Sequence, residues 1–249
     1  MAIPTLYVFT ISHFAEKARW ALDHKQVRYR PVVLLPGPHR FTTRRIAGAS
    51  QVPLLVHDGV AVSGSSAIID HADRVWRERP LTPAGREAEV MELERALDED
   101  LGENGRRVLY SYALDRPDVT IPLFTAGGPR WGSLFYRLAY RPLARLIRST
   151  YRVHDDEVTR SKERFAQAIA RLESRLGESP FLLGERLSRV DITAAALLAP
   201  VFAPAEHPCQ KWAEVRAALP GWHAWASALD GSPVADWVRR VYREHRAAA

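Results

Sequence analysis

The spacing of apolar residues divides the chain into a mixed first part and a helical second part. Up to residue 78, short apolar runs alternate with amphipathic stretches. This alternation predicts strands at 5–10, 27–34, 53–57 and 60–62 and helices at 13–24 and 65–77. The Asp58-Gly59 pair predicts a hairpin between the last two strands, because both residues tolerate positive φ. A βαβ unit followed by a ββα unit forms a small sheet with helices packed on it.

The segment RPLTPAG, residues 79–85, interrupts this pattern with two prolines and a glycine, and we place a domain boundary there. Beyond it helical periodicity dominates, in REAEVMELERALDEDL, DDEVTRSKERFAQAIARLESRL, SRVDITAAALLAPVF and shorter pieces at 211–218, 222–229 and 233–246. Ser188 and Asp191 have the spacing of a capping box at a helix start. The predicted organisation is an α/β domain over 1–78, a linker over 79–85 and an all-helical domain over 86–249.

Cysteine content and hydropathy narrow the class of protein. The single cysteine among 249 residues, Cys209, excludes an internal disulfide and a CxxC redox or zinc site within this chain, and we expect no metal. No apolar run approaches the roughly 20 residues of a membrane span, and the first residues lack the pattern of a signal peptide. We therefore expect a cytoplasmic protein.

The net charge of +6 is concentrated near the N-terminus. Residues 1–80 contain 11 of the 35 Lys and Arg but only 6 of the 29 Asp and Glu, and the segment PHRFTTRR at 38–45 is the most basic. No zinc finger, helix-turn-helix or aromatic-and-basic RNA motif accompanies this excess, so we do not expect nucleic-acid binding. A small anionic ligand fits so local a cluster better.

Four stretches together carry a family resemblance: YVFTISHFAEKARWAL, QVPLL, SGSSAIIDHA and FLLGERLSRVDITAAALL. In this order they resemble the cytosolic glutathione transferase superfamily, and the resemblance covers nearly the whole chain. It implies a thioredoxin-like N-terminal domain joined to an all-helical C-terminal domain. It also implies a homodimer that uses glutathione as co-substrate and a small hydrophobic electrophile as second substrate, with a role in detoxification.

Ser12 is the first candidate catalytic residue. It lies where a strand meets an amphipathic helix, at the position where omega-type relatives with a CPFAERTR-like motif have their cysteine. The resemblance implies that the serine hydroxyl donates a hydrogen bond to the glutathione thiolate, and that thiol transfer through an enzyme cysteine is absent. A hydroxyl donor and a helix N-terminus both lower a thiol pKa by stabilising the anion.

Two neighbouring residues compete with Ser12. Tyr7 is a second candidate for the thiolate partner, although its place inside a strand is more typical of a packing residue. His13 could be a second donor or a base, but a lone histidine at a helix start is more often exposed to solvent. The resemblance assigns His13 and the adjacent Phe14 to the glutathione-binding residues.

The other glutathione contacts are implied by the resemblance. Pro53 would be a cis proline that turns the backbone of Val52 toward the cysteinyl part of glutathione. Ser65 would bind the γ-glutamyl carboxylate at a helix N-terminus, with Ser66 beside it, although the same serines could simply cap that helix. The family usually has an acid or amide directly before Ser65, and here Gly64 removes that contact to the ammonium group.

The basic segment is the third contact region. Family members often bind the glycyl carboxylate of glutathione with a basic residue there, and Arg40 is our candidate among His39, Arg40, Arg44 and Arg45. A solvated basic loop explains the run equally well.

The apolar and aromatic segment 119–150 could line or cover the second substrate site, or pack in a core. Its stretch YRLAYRPLARLIR is basic and amphipathic, which also occurs in membrane-surface helices. We expect Pro142 to shorten the helix and disfavour that role.

The sequence therefore predicts a glutathione-transferase-like enzyme. A non-catalytic binding module of the same fold and a glutathione-dependent isomerase or lyase are the alternatives. The Ala- and Arg-rich composition is typical of GC-rich genomes, and some bacteria with such genomes use other small thiols, so the identity of the thiol is open.

Overall fold

The computed structural model of the chain describes residues 2–246. Its first part is a four-stranded mixed sheet of order β2-β1-β3-β4, in which β1 is parallel to β2 and antiparallel to β3. The bounds are β1 Thr5–Val8, α1 His13–His24, β2 Arg30–Val33, α2 His39–Ala47, β3 Leu54–His57, β4 Val60–Ser63 and α3 Ser65–Val75. The predicted hairpin is confirmed: β3 and β4 are antiparallel, and Asp58 and Gly59 both have positive φ.

The second part is helical. Its helices are α4 Glu87–Leu97, α5 Asn104–Ala113, α6 Pro117–Thr125, α7 Gly132–Thr150, α8 Asp155–Leu176, α9 Arg189–Phe202, α10 Lys211–Ala218, α11 Pro220–Ser227 and α12 Pro233–His245. Every residue of α9 is buried, and α9 packs against α1 of the first part. The predicted capping box is confirmed at its start, where Ser188 and Asp191 exchange hydrogen bonds. Segment 79–85 lies in the connection between α3 and α4.

Three details differ from the sequence expectation. The basic segment is not a loop but helix α2, whose only buried residue is Thr43; the apolar periodicity that would have revealed a helix is therefore missing. The predicted long helix is α4 and α5 joined by a π-helical segment, Asp98–Glu103. Pro142 does not shorten α7: it lies on the exposed face, where water can hydrogen-bond the carbonyl group that proline leaves without a donor.

A buried charge network joins the two parts. The ammonium group of Lys17 on α1 has no solvent exposure and lies 2.9 Å from Oε1 of Glu94 and 2.7 Å from Oδ1 of Asp98. Arg189 on α9 contacts Glu94 at 2.6 Å and also pairs with Asp70 on α3. Because a buried charge is tolerated only when it is paired, this network fixes α1 and α3 against the helical domain.

Lys17→Met tests the network. The substitution leaves Glu94 and Asp98 without their shared cation, and we expect the free energy of unfolding to fall by about 3–5 kcal/mol. Lys211→Met is the matched control, because Lys211 pairs with Glu214 at an exposed site; its loss should cost less than about 1 kcal/mol. Equal losses in urea titrations of the two variants would contradict the assignment.

Candidate active site

A cavity of about 740 Å³ lies between the sheet domain and the helical domain. One wall comes from the β1–α1 turn, the segment before β3 and the start of α3, and the other from α5, α7 and α9. All seven residues assigned to glutathione from the sequence line it together with Ser12: His13, Phe14, Arg40, Val52, Pro53, Ser65 and Ser66.

Ser12 lies at the N-cap of α1, on the cavity wall. Its Oγ accepts a hydrogen bond from the backbone N–H of Ala15 at 3.2 Å. The cap uses an oxygen lone pair and leaves the hydroxyl hydrogen available to donate. The first-turn N–H groups of α1 begin at the same place, so the site offers a hydroxyl donor together with the positive end of a helix dipole.

Tyr7 is placed differently from Ser12. It lies inside β1, where it pairs with Val32 and Leu54, and it is not among the cavity-lining residues of the described part of the chain. Of the two candidate thiolate partners, the geometry brings only Ser12 to the cavity.

His13 is buried, which corrects the expectation of a solvated histidine. Burial and the nearby charge of Arg106 lower its pKa to about 3, against an opposing hydrogen bond with the backbone of Gly102. Nε2 has no hydrogen-bond partner within the described residues. The ring is therefore neutral at physiological pH and supplies no positive charge to the cavity.

Gly102 is glycine because Phe14 packs against it. A Cβ at Gly102 would lie 2.6 Å from Cζ of Phe14 and 3.2 Å from Cδ2 of Leu197. The π-helical segment thus places the backbone of Gly102 in direct contact with the ring of Phe14. Such segments are frequent at functional sites.

The peptide bond between Val52 and Pro53 is cis, as the resemblance implied. Gln51 precedes it and also lines the cavity. Its amide atoms lie 3.7–3.8 Å from the position that a Cβ on Gly64 would occupy. Gly64 has φ 95° and ψ 145°, a conformation that favours glycine, which explains why no acid stands there.

The start of α3 presents Ser65 and Ser66 to the cavity without a side-chain cap. The Ser66 hydroxyl accepts from the ammonium group of Lys17 at 3.0 Å and donates to Asp98 at 3.2 Å. It is therefore part of the buried charge network. Burial raises the pKa of Asp98, while the charge of Lys17 opposes the rise. The Asp98 carboxylate remains partly exposed and lines the cavity beside Ser66.

Helix α2 separates the basic candidates. His39 and Arg40 line the cavity, whereas Arg44 and Arg45 lie exposed on the outer part of the helix and do not. The ring of His39 is held by the backbone N–H of Gly37 at 3.1 Å and the carbonyl of Ser50 at 3.0 Å. Of the four basic candidates on α2, Arg40 is therefore the one available to bind a ligand in the cavity.

The wall formed by the helical domain is mainly apolar, and its charged residues are Asp98, Glu103 and Arg106. The guanidinium carbon of Arg106 lies 4.3 Å from the ring centre of Tyr151 and 5.7 Å from that of Phe14. Within residues 2–246 Arg106 has no carboxylate partner, and its Nε is buried without a hydrogen bond. Cation–π contacts of this kind hold a guanidinium in place without an ion-pair partner.

Sequence reasoning missed Gln51, Asp98, Gly102 and Arg106. The available signal was the pair of glycines in LGENGRR, which interrupt a helical pattern and indicate close packing. The described residues contain no group of three or more His, Cys, Asp or Glu side chains placed to hold a metal ion. No helix among them is long and apolar enough to span a membrane.

Comparisons with known proteins agree with this geometry. The sequence profile of the glutathione S-transferase N-terminal domain matches residues 6–80, and that of the C-terminal domain matches residues 155–228. No curated protein matches the chain.

Solved structures show the same fold. A glutathione S-transferase of Ceriporiopsis subvermispora in complex with glutathione has a TM-score of 0.68 at 13% identity, covering 100% of this chain and 99% of that one. The beta-etherase LigF of Sphingobium sp. strain SYK-6 has a TM-score of 0.64 at 19% identity, covering 98% and 99%. A glutathione S-transferase of Rhodospirillum rubrum F11 has a TM-score of 0.59 at 19% identity, covering 96% and 91%.

The lowered pKa of His13 gives a prediction about stability and pH. Below pH 6.5 the unfolded chain takes up a proton at this residue and the native protein does not, so its contribution is lost as the pH falls toward 3. Between pH 7.5 and 5 the loss should be about 2 kcal/mol. His13→Asn removes the titrating imidazole and should flatten the pH dependence by that amount. An unchanged slope in denaturant titrations at the two pH values would contradict a buried neutral His13.

Proposed function

Because the chain belongs to the glutathione S-transferase superfamily, we propose that it activates the thiol of glutathione for attack on a small hydrophobic electrophile. The observation that carries the proposal is the position of Ser12, on the cavity wall at the start of α1. Its oxygen accepts the cap bond from the N–H of Ala15. This bond does not use the hydroxyl hydrogen, which can donate to a sulfur in the cavity. A thiolate there gains a charge-assisted hydrogen bond and the helix dipole.

The rest of glutathione would lie along the sheet domain. The γ-glutamyl carboxylate would bind the free N–H groups at the start of α3, beside Ser65. The backbone of Val52 would pair with the cysteinyl part, and Arg40 would bind the glycyl carboxylate. These contacts are supported by the cavity that Arg40, Val52 and Ser65 line together.

Asp98 is our candidate for the ligand's ammonium group. Gly64 removes the family's customary contact at that point, and the Asp98 carboxylate reaches the same end of the cavity from the helical domain. Lys17 and Ser66 hold both of its oxygens in fixed positions. A fixed carboxylate beside the γ-glutamyl site would pair with an ammonium group without reorganising.

The electrophile would bind against the helical wall. Leu109, Phe124, Leu143 and Tyr151 are among the apolar and aromatic residues there, which suits a hydrophobic substrate. The guanidinium group of Arg106 lies beside Phe14 and would add to the stabilisation of negative charge near the thiolate. In the reaction the sulfur forms a bond to the electrophilic carbon, and the leaving group departs with its electron pair.

Two other functions use the same site. A non-catalytic binding module would retain glutathione without turning over any electrophile. A glutathione-dependent isomerase or lyase would show turnover without net consumption of glutathione. A thermal-shift screen of reduced glutathione and other small thiols identifies the thiol, since a ligand of the native state raises the melting temperature. We further propose a cytoplasmic homodimer that acts in detoxification, as in the family.

Ser12→Ala is the central test of mechanism. Loss of one hydrogen bond to a charged group removes about 1.5–3 kcal/mol, so kcat at neutral pH should fall about tenfold to a hundredfold with little change in glutathione affinity. Ser12→Thr keeps the hydroxyl and should restore most of the rate. Ser12→Cys should admit mixed-disulfide chemistry, because a cysteine at a helix N-terminus has a lowered pKa.

The control for the lost helix cap is Ser232→Ala. Ser232 caps α12 with the same 3.2 Å bond geometry, to the backbone N–H of Ala235, and does not line the cavity. Both alanine variants should lose about 1 kcal/mol of stability, and only Ser12→Ala should lose activity. If Tyr7→Phe abolishes the activity and Ser12→Ala leaves it intact, Tyr7 is the donor.

The role of Asp98 can be separated from its place in the buried network by changing the ligand. Asp98→Asn should weaken binding of glutathione about tenfold to a hundredfold in calorimetry, through the lost charged contact. It should not weaken binding of the analogue in which a glutaryl group replaces γ-glutamyl, because that analogue has no amine. Equal losses for both ligands would show that Asp98 acts only by holding the structure.

A further inference from the structure

Helix α7 exposes an apolar stripe to solvent. Four large side chains along one side of it are half or more exposed: Trp131 53%, Leu134 63%, Leu138 80% and Leu146 51%. Trp131 directly precedes the helix, and Pro142 continues the same line at the spacing of successive turns. A single exposed leucine is ordinary on a protein surface, but a continuous stripe marks an interaction surface.

Arginines border this stripe. Residues 119–154 contain six arginines and not one Asp or Glu. Arg137, Arg141 and Arg145 follow one flank of the apolar stripe at helical spacing, and all three are exposed. In the described part of the chain these three and Arg130 have no carboxylate partner, whereas Arg148 pairs with Asp115 at 2.8 Å and Arg152 pairs with Glu157 at 2.5 Å. Four of the six arginines therefore carry a positive charge without an ion-pair partner.

The length of α7 suits a surface helix. It runs for 19 residues without a break at Pro142, so the argument from the sequence against a membrane-surface role does not hold. Its opposite side carries Leu143 and Ile147, which line the cavity, and Tyr136, whose hydroxyl donates to the carbonyl of Pro36 before α2. Leu146 lies at the edge of the stripe and also lines the cavity. The helix is thus anchored to the protein on one side and open on the other.

We propose that α7 binds an anionic lipid surface, with its apolar stripe at the level of the headgroups and its arginines on the lipid phosphates. A stripe of Trp and Leu beside unpaired arginines has the composition of helices that lie in a membrane interface. Charge complementarity selects an anionic surface, because every charged residue of segment 119–154 is an arginine. Docking on this face places the cavity wall formed by α7 next to the lipid, where hydrophobic compounds accumulate.

The test is cosedimentation of the full chain with vesicles, which has no activity readout and stands apart from the proposed enzyme function. Wild type should bind vesicles of phosphatidylcholine and phosphatidylglycerol at low salt, and should not bind phosphatidylcholine alone. Added salt should weaken the binding, because exposed charges are screened.

Two variants of α7 separate apolar from charged contributions. Leu134→Ser with Leu138→Ser should reduce binding at least tenfold by removing apolar surface. Arg137→Gln with Arg141→Gln and Arg145→Gln should reduce it about a hundredfold, since each arginine near an anionic surface contributes about a factor of five.

The matched controls make the same kinds of substitution at exposed residues outside α7. Met91→Ser removes an apolar residue that is 60% exposed on α4. Arg77→Gln with Arg164→Gln and Arg186→Gln removes three exposed arginines that have no carboxylate partner among residues 2–246. Both controls should bind the anionic vesicles within twofold of wild type.

Three results would overturn the proposal: no binding to anionic vesicles, equal binding to neutral ones, or equal losses in the controls. Light scattering identifies a competing occupant. Suppose that wild type does not bind vesicles and that the variant with Leu134→Ser and Leu138→Ser has half the wild-type mass. The stripe is then an interface between two copies of the chain. If the α7 variants have the melting temperature of the wild type, their reduced vesicle binding is not caused by unfolding.

Discussion

The buried ammonium group of Lys17 is the interaction on which the arrangement of this molecule depends. It lies on the helix that begins at Ser12 and contacts two carboxylates of the helical domain and the hydroxyl of Ser66. An unpaired charge at full burial would be strongly unfavourable, so α1, α3 and the end of α4 must meet in one geometry. The cavity lies where these three elements meet. The ammonium group of Lys17 therefore also fixes the position of one cavity wall relative to the other.

That geometry makes the polar end of the cavity rigid. Asp98 is held by Lys17, and the π-helical segment that starts there carries Gly102 onto Phe14 and His13. His13 is buried there, and its lowered pKa keeps it neutral. Ser12 is left as the hydroxyl donor at the start of α1, and Arg106 lines the same cavity without an ion-pair partner among residues 2–246. Under the proposed mechanism these two groups stabilise the negative charge of the thiol sulfur.

Local signals in the sequence predicted much of this. The bounds of α1, α8 and α10, the hairpin at Asp58-Gly59 and the capping box at Ser188 all follow from contacts within a few residues. The contacts that complete the site are distant in sequence: Lys17 and Asp98 are 81 residues apart, and Arg189 and Asp70 are 119 apart. Periodicity carries no information about such pairs. Helix α2 was missed for a different reason, since it buries almost nothing and has no apolar stripe.

The central claim is that the Ser12 hydroxyl stabilises a bound thiolate, and its direct measurement is the pH titration of glutathione bound to the protein, followed by thiolate absorbance. A solution thiol has a pKa of about 8.5. The account predicts that the pKa of the bound thiol is lower by about one to two units in the wild type and returns most of the way in Ser12→Ala, because one unit corresponds to about 1.4 kcal/mol. The same bound pKa in both proteins would contradict it.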